Sequence, residues 1–437
     1  MAMRKLMVVG VLGFLLLVLA GGAAAQPTVI AIIPVGTAAQ IAANPATNRV
    51  YVSQDVPAAV AVIDGSTNTI VASVPTAGSP TGIDVDPVTN RIYVSQQWAG
   101  AVRIIDGVTN SVITDLHVPG GWQAGSVAIN PATGRLYVVR AGAGYGDVAV
   151  FDAATYTLLG TVGGWVQTLY LAVNTETNRI YVADGWNQRV HVIDGASNSV
   201  LATVPVGDYP GLIGVNPATN RIYVPNGGSG TISVIDGVSN TVVDVFAVGG
   251  TPVAVGVNPV TNRLYVTEYY DDSVLVLDGA TGDLLATLAV PHFPGDIAVI
   301  PSTSRIYVSS DRAVAVIEDL PVYSFSGFFR PVDNTPTLNL AKAGSAIPVK
   351  FSLGGDQGLD IFATGYPRSQ KINCDTSAPS DAIEETVTAG SSSLSYDPIA
   401  DQYVYVWKTD KVWAGTCRQL IVRLNDGTDH VANFKFK

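Results

Sequence analysis

The chain has 437 residues, of which 48% are hydrophobic and only 14% charged, with 44 Gly, 25 Pro and 2 Cys. At roughly 100 to 200 residues per domain this length predicts two or three domains. Beyond the N-terminal stretch no uninterrupted apolar run approaches the roughly 20 residues that a bilayer-spanning helix needs, so no membrane span is expected and the apolar content must lie in many short elements.

At the N-terminus Arg4 and Lys5 precede an apolar stretch from Leu6 to Ala20 and a small-residue site, Ala23-Ala24-Ala25, before Gln26. This is the pattern of a secretory signal peptide over residues 1–25, and it places the protein in the secreted, periplasmic or cell-surface class. From Gln26 onward 22 basic residues face 35 acidic ones. Such a surface repels nucleic acid and anionic membranes.

Self-similarity dominates the chain after Gln26. The segment Asn48-Arg49-Val50-Tyr51-Val52 recurs with its Arg at 91, 135, 179, 221, 263 and 305, spaced by 42 or 44 residues. A second marker, Val62-Ile63-Asp64-Gly65, follows each copy and degenerates to Val316-Ile317-Glu318-Asp319 in the last. Alternation and turn residues divide one repeat into four strands, as in Ile213 to Asn216, Arg221 to Val224, Thr231 to Asp236 and Thr241 to Val248. Four-stranded units at this period predict a β-propeller. The seventh repeat runs into Leu320-Pro321 before a fourth strand, while Thr28 to Gly36 reads like the missing one. An all-β, seven-bladed propeller over residues 26–319, closed by its N-terminal strand, is the expected fold.

The run Asn-Pro-x-Thr-Asn-Arg-Ile-Tyr-Val followed by Val-Ile-Asp-Gly resembles the YVTN family of β-propeller repeats across residues 28–319. The resemblance implies a surface-layer or cell-envelope protein, within a wider superfamily that includes lactonases and lyases.

Strands alternate in direction, so the turns joining first to second and third to fourth strands share one face of the disc. The repeated Arg and Asp lie there and are expected to serve as structural pairs or turn caps. The remaining loops share the other face, where the repeats diverge and carry Trp98, Trp122, Trp165, Trp186, Tyr209, Glu268, Tyr269, Tyr270 and His292. Aromatic rings with nearby carboxylates suit sugar rings and cationic groups, which makes these residues the candidate ligand-binding set. Asp84 joins them, because at its position in the innermost strands the other repeats have only Ala or Gly. Metal-ligand spacing, phosphate-binding Gly loops and the Gly-x-Ser-x-Gly motif are missing, so no metal and no cofactor is expected.

After Asp319 the repeat stops, and every Lys beyond the signal lies in residues 320–437. Strand-like runs at Ile347 to Leu353, Tyr403 to Trp407, Gln419 to Leu424 and His430 to Phe436 predict an immunoglobulin-like β-sandwich. Cys374 and Cys417 have only each other as intramolecular partners, and in an exported chain a disulfide is expected. Ala346-Ile347-Pro348-Val349-Lys350-Phe351, Trp413-Ala414-Gly415-Thr416-Cys417 and Asn433-Phe434-Lys435-Phe436-Lys437 resemble the PxKF-type domain of secreted bacterial proteins, which implies an accessory module for attachment or protein contact. The expectation is a monomeric, non-enzymatic binding or scaffold protein that recognises a glycan or protein partner at the cell surface. The alternative is a lyase or lactonase acting at the channel mouth, with His292 and Glu268 as acid/base groups.

Overall fold

The computed structural model describes residues 26–120, 123–142, 145–165, 170–321, 323–359, 361–363, 365–388 and 394–437. The expected export signal at residues 1–25 and the candidate ligand residue Trp122 lie outside these. Within each repeat, two kinds of turn fold four strands into an antiparallel sheet. The turn between first and second strands ends in a left-handed residue: Asn48, Asn90, Asn178, Asn220 and Asn262 have φ of 51 to 53°, with Gly134 and Ser304 in their place in the third and seventh repeats. Asn and Gly are the residues that tolerate this conformation best. The turn between third and fourth strands uses the same device at Asn68, Asn110, Asn198 and Asn240. It is capped by the Asp that precedes it, as where Asp106 Oδ1 accepts the amides of Val108 and Thr109 at 2.8 Å. Those hydrogen bonds hold the Asp106 carboxyl below its usual range.

Seven four-stranded sheets result among the described residues. Six are consecutive in sequence. The remaining one runs Thr28–Pro34, Ala313–Glu318, Arg305–Ser310, Ile297–Ile300, with Thr28 opposite Glu318 and Pro34 opposite Ala313. The innermost strands are Ala38–Asn44, Pro80–Asp86, Gln123–Asn130, Tyr170–Asn174, Gly214–Asn216, Pro252–Asn258 and Ile297–Ile300. Consecutive members of this set are neighbours, and Ala38–Asn44 also lies against Ile297–Ile300. These are the sheets of a β-propeller. The repeated Tyr51, Tyr93, Tyr137, Tyr181, Tyr223, Tyr265 and Tyr307 are all fully buried, and they fill the space between sheets. Tyr51 of the first sheet, for example, packs with Ile92, Val94 and Ile105 of the second.

A polar lock joins the sheets near their inner strands. Asn44, Asn130, Asn174 and Asn216, each ending an inner strand and almost fully buried, donate through Nδ2 to Oδ1 of Asn90, Asn178, Asn220 and Asn262 in the next sheet at 2.7 to 2.9 Å. The Oδ1 of each donor meanwhile caps its own turn, as where Asn216 accepts the Ala218 amide at 3.1 Å. Asn258 makes the equivalent bond to Asp319 at 2.8 Å. The Gly of Val-Ile-Asp-Gly is required by this lock. A Cβ on Gly107 would stand 2.5 Å from the Asn90 Oδ1. The third sheet has Gly134 where five others have Asn, and there the glycine partner becomes Ala153, whose amide bonds the Gly134 carbonyl at 2.8 Å.

The repeated Arg residues are structural in the same sense. Arg179 and Arg221 pair with Asp194 and Asp236 of their own sheets at 2.5 and 2.7 Å. Arg91, Arg135 and Arg305 instead reach carbonyls of Ala153, Gly195 and Gly65 in the neighbouring sheet.

The described residues beyond Asp319 form two five-stranded sheets. One contributes Val349, Phe351, Tyr403, Tyr405 and Trp407 to a shared apolar core, and the other contributes Leu420, Val422, Ala432, Phe434 and Phe436. One pairing is parallel, Leu338–Ala341 with Asn433–Phe436. Cys374 and Cys417 form a disulfide with Cα atoms 5.3 Å apart.

Replacing Asn216 by Ala removes a buried donor and leaves the Asn262 carbonyl without its partner, so stability should fall by about 2 kcal/mol. Urea unfolding followed by tryptophan fluorescence reads this as a lower midpoint with unchanged slope; an unmoved midpoint would show that the asparagine lock carries no stability.

Candidate functional site

The loop-rich face is built by stitching. In five sheets the amide of a loop between second and third strands bonds a carbonyl of the loop that enters the inner strand: Asp55 to Thr37, Gln97 to Ser79, Gly227 to Tyr209, Tyr269 to Thr251 and Asp311 to His292, at 2.9 to 3.2 Å. Backbone therefore fixes these loops, and their side chains are free to differ. Trp98 is 70% exposed, Trp186 61%, Tyr209 63% and Tyr270 71%. Trp186 and Tyr209 meet edge to face with centroids 6.4 Å apart. Tyr269 stacks on Phe293 at 5.1 Å and meets Tyr270 edge-on at 5.0 Å. His292 lies beside Phe293, with its Nδ1 2.6 Å from Asp272 Oδ2.

Two of the expected ligand residues sit differently. Trp165 is not an open platform: its indole stacks at 4.2 Å on His191, which is buried and bonded to Asp184 and Thr203. Burial pushes the His191 imidazole below its ordinary pKa, against the opposing pull of the Asp184 carboxylate. Glu268 is only 2% exposed and lies beneath the loops. Its Oε2 accepts the Thr251 amide at 2.6 Å while Oε1 has no hydrogen-bond partner. Burial, with the nearby Asp271 charge adding to it, raises its pKa to about 7.

The inner strands enclose a central cavity of about 410 Å³ whose only charged lining residues are Asp84 and Asp296. Each is half-buried and uses both carboxylate oxygens on backbone. Asp84 accepts Val85 of its own strand and Ile129 of the third sheet, both at 2.8 Å. Asp296 accepts Ile297 at 2.8 Å and Ile41 of the first sheet at 3.1 Å. These two junctions are the ones that lack the asparagine lock. The second sheet ends its inner strand in Asp86 opposite Gly134, and the seventh ends in Ile300 opposite Asn48, whose Oδ1 has no partner. The channel aspartates thus replace the missing amide bonds. Desolvation raises Asp84 to about 6 and Asp296 to about 7, with Asp84 adding to the shift at Asp296.

A second pocket, of about 300 Å³, opens on the loop face. It is lined by Tyr170, Tyr209, Pro210, Thr251, Pro252, Val253 and glycines from neighbouring loops. It exists because the fifth inner strand is short. Pro210 and Gly211 still bond their own sheet at Asn226 and Pro225, but Leu212 turns away and pairs in parallel with Ala254 of the sixth, its amide bonding the Val253 carbonyl at 2.9 Å. Periodicity extends that strand to Ile213 and so conceals the pocket; Pro210, just upstream, is the available signal. Asp296 escapes notice as a channel residue because it stands two positions before Ala298, the residue that shares the column of Asp84.

A model of the YNCE-like β-propeller family matches residues 1–133. This match, with the four-stranded sheets, makes the chain a β-propeller repeat protein. No curated protein matches the chain. Among the described residues no helix is long and apolar enough to cross a membrane, and no group of three or more His, Cys, Asp or Glu stands ready for a metal.

The channel carboxyls give a pH dependence of definite sign. Their folded-state pKa values lie above the unfolded one, so ionisation is disfavoured in the fold and stability declines as pH rises from about 4 through about 7. Thermal melts should therefore show a higher midpoint at about pH 5 than at about pH 8, and Asp296→Asn should flatten that slope. An identical slope in the variant would detach Asp296 from the effect.

Proposed function

We infer that the protein is an exported, non-enzymatic binding or scaffold protein whose loop-rich propeller face recognises a glycan or protein partner at the cell surface. On this reading the seven sheets are the blades of one ring, closed by the pairing of Thr28–Pro34 with Ala313–Glu318. The C-terminal module is an immunoglobulin-like sandwich that presents the ring. The repeat motifs support a YVTN-type assignment for the ring and a PxKF-type assignment for the module.

The observation that carries this reading is the division of labour between the two faces. One face spends its repeated Arg, Asp and Asn on bonds within and between sheets. The other has its loops stitched together largely through main-chain bonds and sets Trp98, Trp186, Tyr209 and Tyr270 in solvent. Exposed aromatic side chains on a rigid scaffold are a recognition surface, since large rings otherwise belong in the core. The disulfide is in keeping with an oxidising compartment. Substituting both Trp98 and Trp186 by Ala should abolish retention on purified cell envelope or a glycan array while leaving the melting temperature within a few degrees; undiminished retention would remove the face from the assignment.

One observation favours the second reading, a lyase or lactonase. The Asp272 carboxylate holds His292 Nδ1 at 2.6 Å, which leaves the other ring nitrogen of an exposed imidazole available to a substrate. Glu268, the intended partner group, is buried and bonded to Thr251 instead. Turnover of a lactone or uronate polymer that disappears in His292→Ala would establish the enzymatic reading.

A further inference from the structure

Tyr209 and Phe293 share an unusual backbone. Both precede a proline, Pro210 and Pro294, and both have left-handed φ, 52 and 53°. Neither side chain suits that conformation, and the following proline disfavours helical φ/ψ further. The strain occurs at equivalent points of two loops, and at each the ring is set against an aromatic from the preceding sheet: Tyr209 against Trp186, Phe293 against Tyr269. At the first site glycine makes room, because a Cβ on Gly228 would meet the Tyr209 ring at 2.7 Å. Strain repeated in this way, with the strained ring left 63% or 43% exposed, is what a fixed contact surface requires and what packing alone does not.

The two aromatic pairs are joined by continuous surface. Tyr209 forms one wall of the 300 Å³ pocket and Thr251 another. The Thr251 carbonyl accepts the Tyr269 amide at 3.2 Å, and Tyr269 stacks on Phe293. Gly227 and Gly228 line the pocket between the pairs, so the surface there is low. Asp208 and Asp271 are exposed along this path, Asp311 is exposed but paired with Arg312 at 3.9 Å, and the propeller has no Lys.

We propose that the trough from Trp186 and Tyr209 through the pocket to Tyr269 and Phe293 binds a linear glycan of neutral or amino sugars, stacking sugar rings on both aromatic pairs. This rests on the reading of the loop face as a recognition surface and names its ligand class. Flat apolar sugar faces match the paired rings, hydroxyls match the surrounding carboxylates and carbonyls, and the acidic border excludes uronate polymers.

The test is calorimetric titration of the exported protein with hexamers of N-acetylglucosamine, glucosamine, glucose and galacturonate. The variants are Tyr209→Asn and Phe293→Asn, since Asn accepts left-handed φ and keeps the loop while removing the ring. Each should weaken binding of the neutral or amino-sugar hexamer about 10-fold, and the pair together about 100-fold, with equal or higher melting temperature. Galacturonate should not bind. Retained affinity in the double variant overturns the trough. If affinity is lost in Trp98→Ala instead, the face remains a glycan site but the trough is wrong, and if no hexamer binds, the glycan reading falls with it.

Discussion

The side-chain amide that ends five of the seven inner strands does two things at once, and the rest of the propeller depends on both. Its oxygen caps the turn of its own sheet and its nitrogen bonds the turn of the next. Asn sets its donor and its acceptor on separate atoms of one short planar group, so both turns can be reached at once. Because these groups are buried, leaving one unpaired costs about 1 to 3 kcal/mol, which fixes sheet spacing and tilt more sharply than contact between Val and Ile side chains does. The left-handed Asn, the Gly after the capping Asp and the buried Tyr are consequences of that spacing. The substitutions obey it in pairs: Gly134 goes with Ala153, and Ser304 goes with Asp319, whose amide bonds the Ser304 carbonyl at 2.8 Å.

Where the amide lock is missing, the burden passes to carboxylates in the channel. Asp84 and Asp296 tie their sheets to the next through main-chain amides, at the junction of the second and third sheets and at that of the seventh and first. The exchange has a thermodynamic consequence. A neutral amide pair is indifferent to pH, whereas a desolvated carboxylate is penalised when ionised, so these two junctions respond to pH in a way that the four joined by paired asparagines do not. The junction of the fifth and sixth sheets adds a main-chain tie through Leu212 and Val253 to the amide bond of Asn216 with Asn262.

The reach of each interaction along the chain decides which parts of the molecule are legible in the sequence. The repeat, the strand count and the turns arise from local chemistry: Asn-Pro-x-Thr-Asn and Val-Ile-Asp-Gly carry their conformational reasons within a few residues. The role of Asp84 is only half visible, since its oddity shows in one column but its partner Ile129 is supplied by the next sheet. Trp165 reads as a surface aromatic because nothing in its own segment announces that His191 covers it. Glu268 reads as a loop carboxylate, although its strand, Arg263–Glu268, carries it under the Thr251 loop. Each failure has one form. The decisive neighbour comes from another strand or another sheet, and a linear pattern does not name it.

The outer rim shows how the same repetition solves a different problem. Seven sheets standing side by side present seven outer strands, each with unpaired backbone groups on its free side, and a propeller without Lys cannot blunt them with that side chain. Every outer strand instead contains a bulge at one equivalent position, where Ile30, Val71, Ile113, Leu159, Leu201, Val243 and Leu285 are the extra residues. A bulge breaks the ladder and adds local twist, so a second strand cannot pair in register along the edge. The cost is an aliphatic side chain left 39 to 51% exposed on each outer strand. A second exposed aliphatic accompanies it on each strand, as Ile70 does Val71 and Leu284 does Leu285, so the rim is protected by the broken ladder and not by polarity. The rim is therefore kept inert by backbone geometry and the repeat-invariant face by its internal bonds, which leaves the stitched, variable loops as the surface on which recognition can be built.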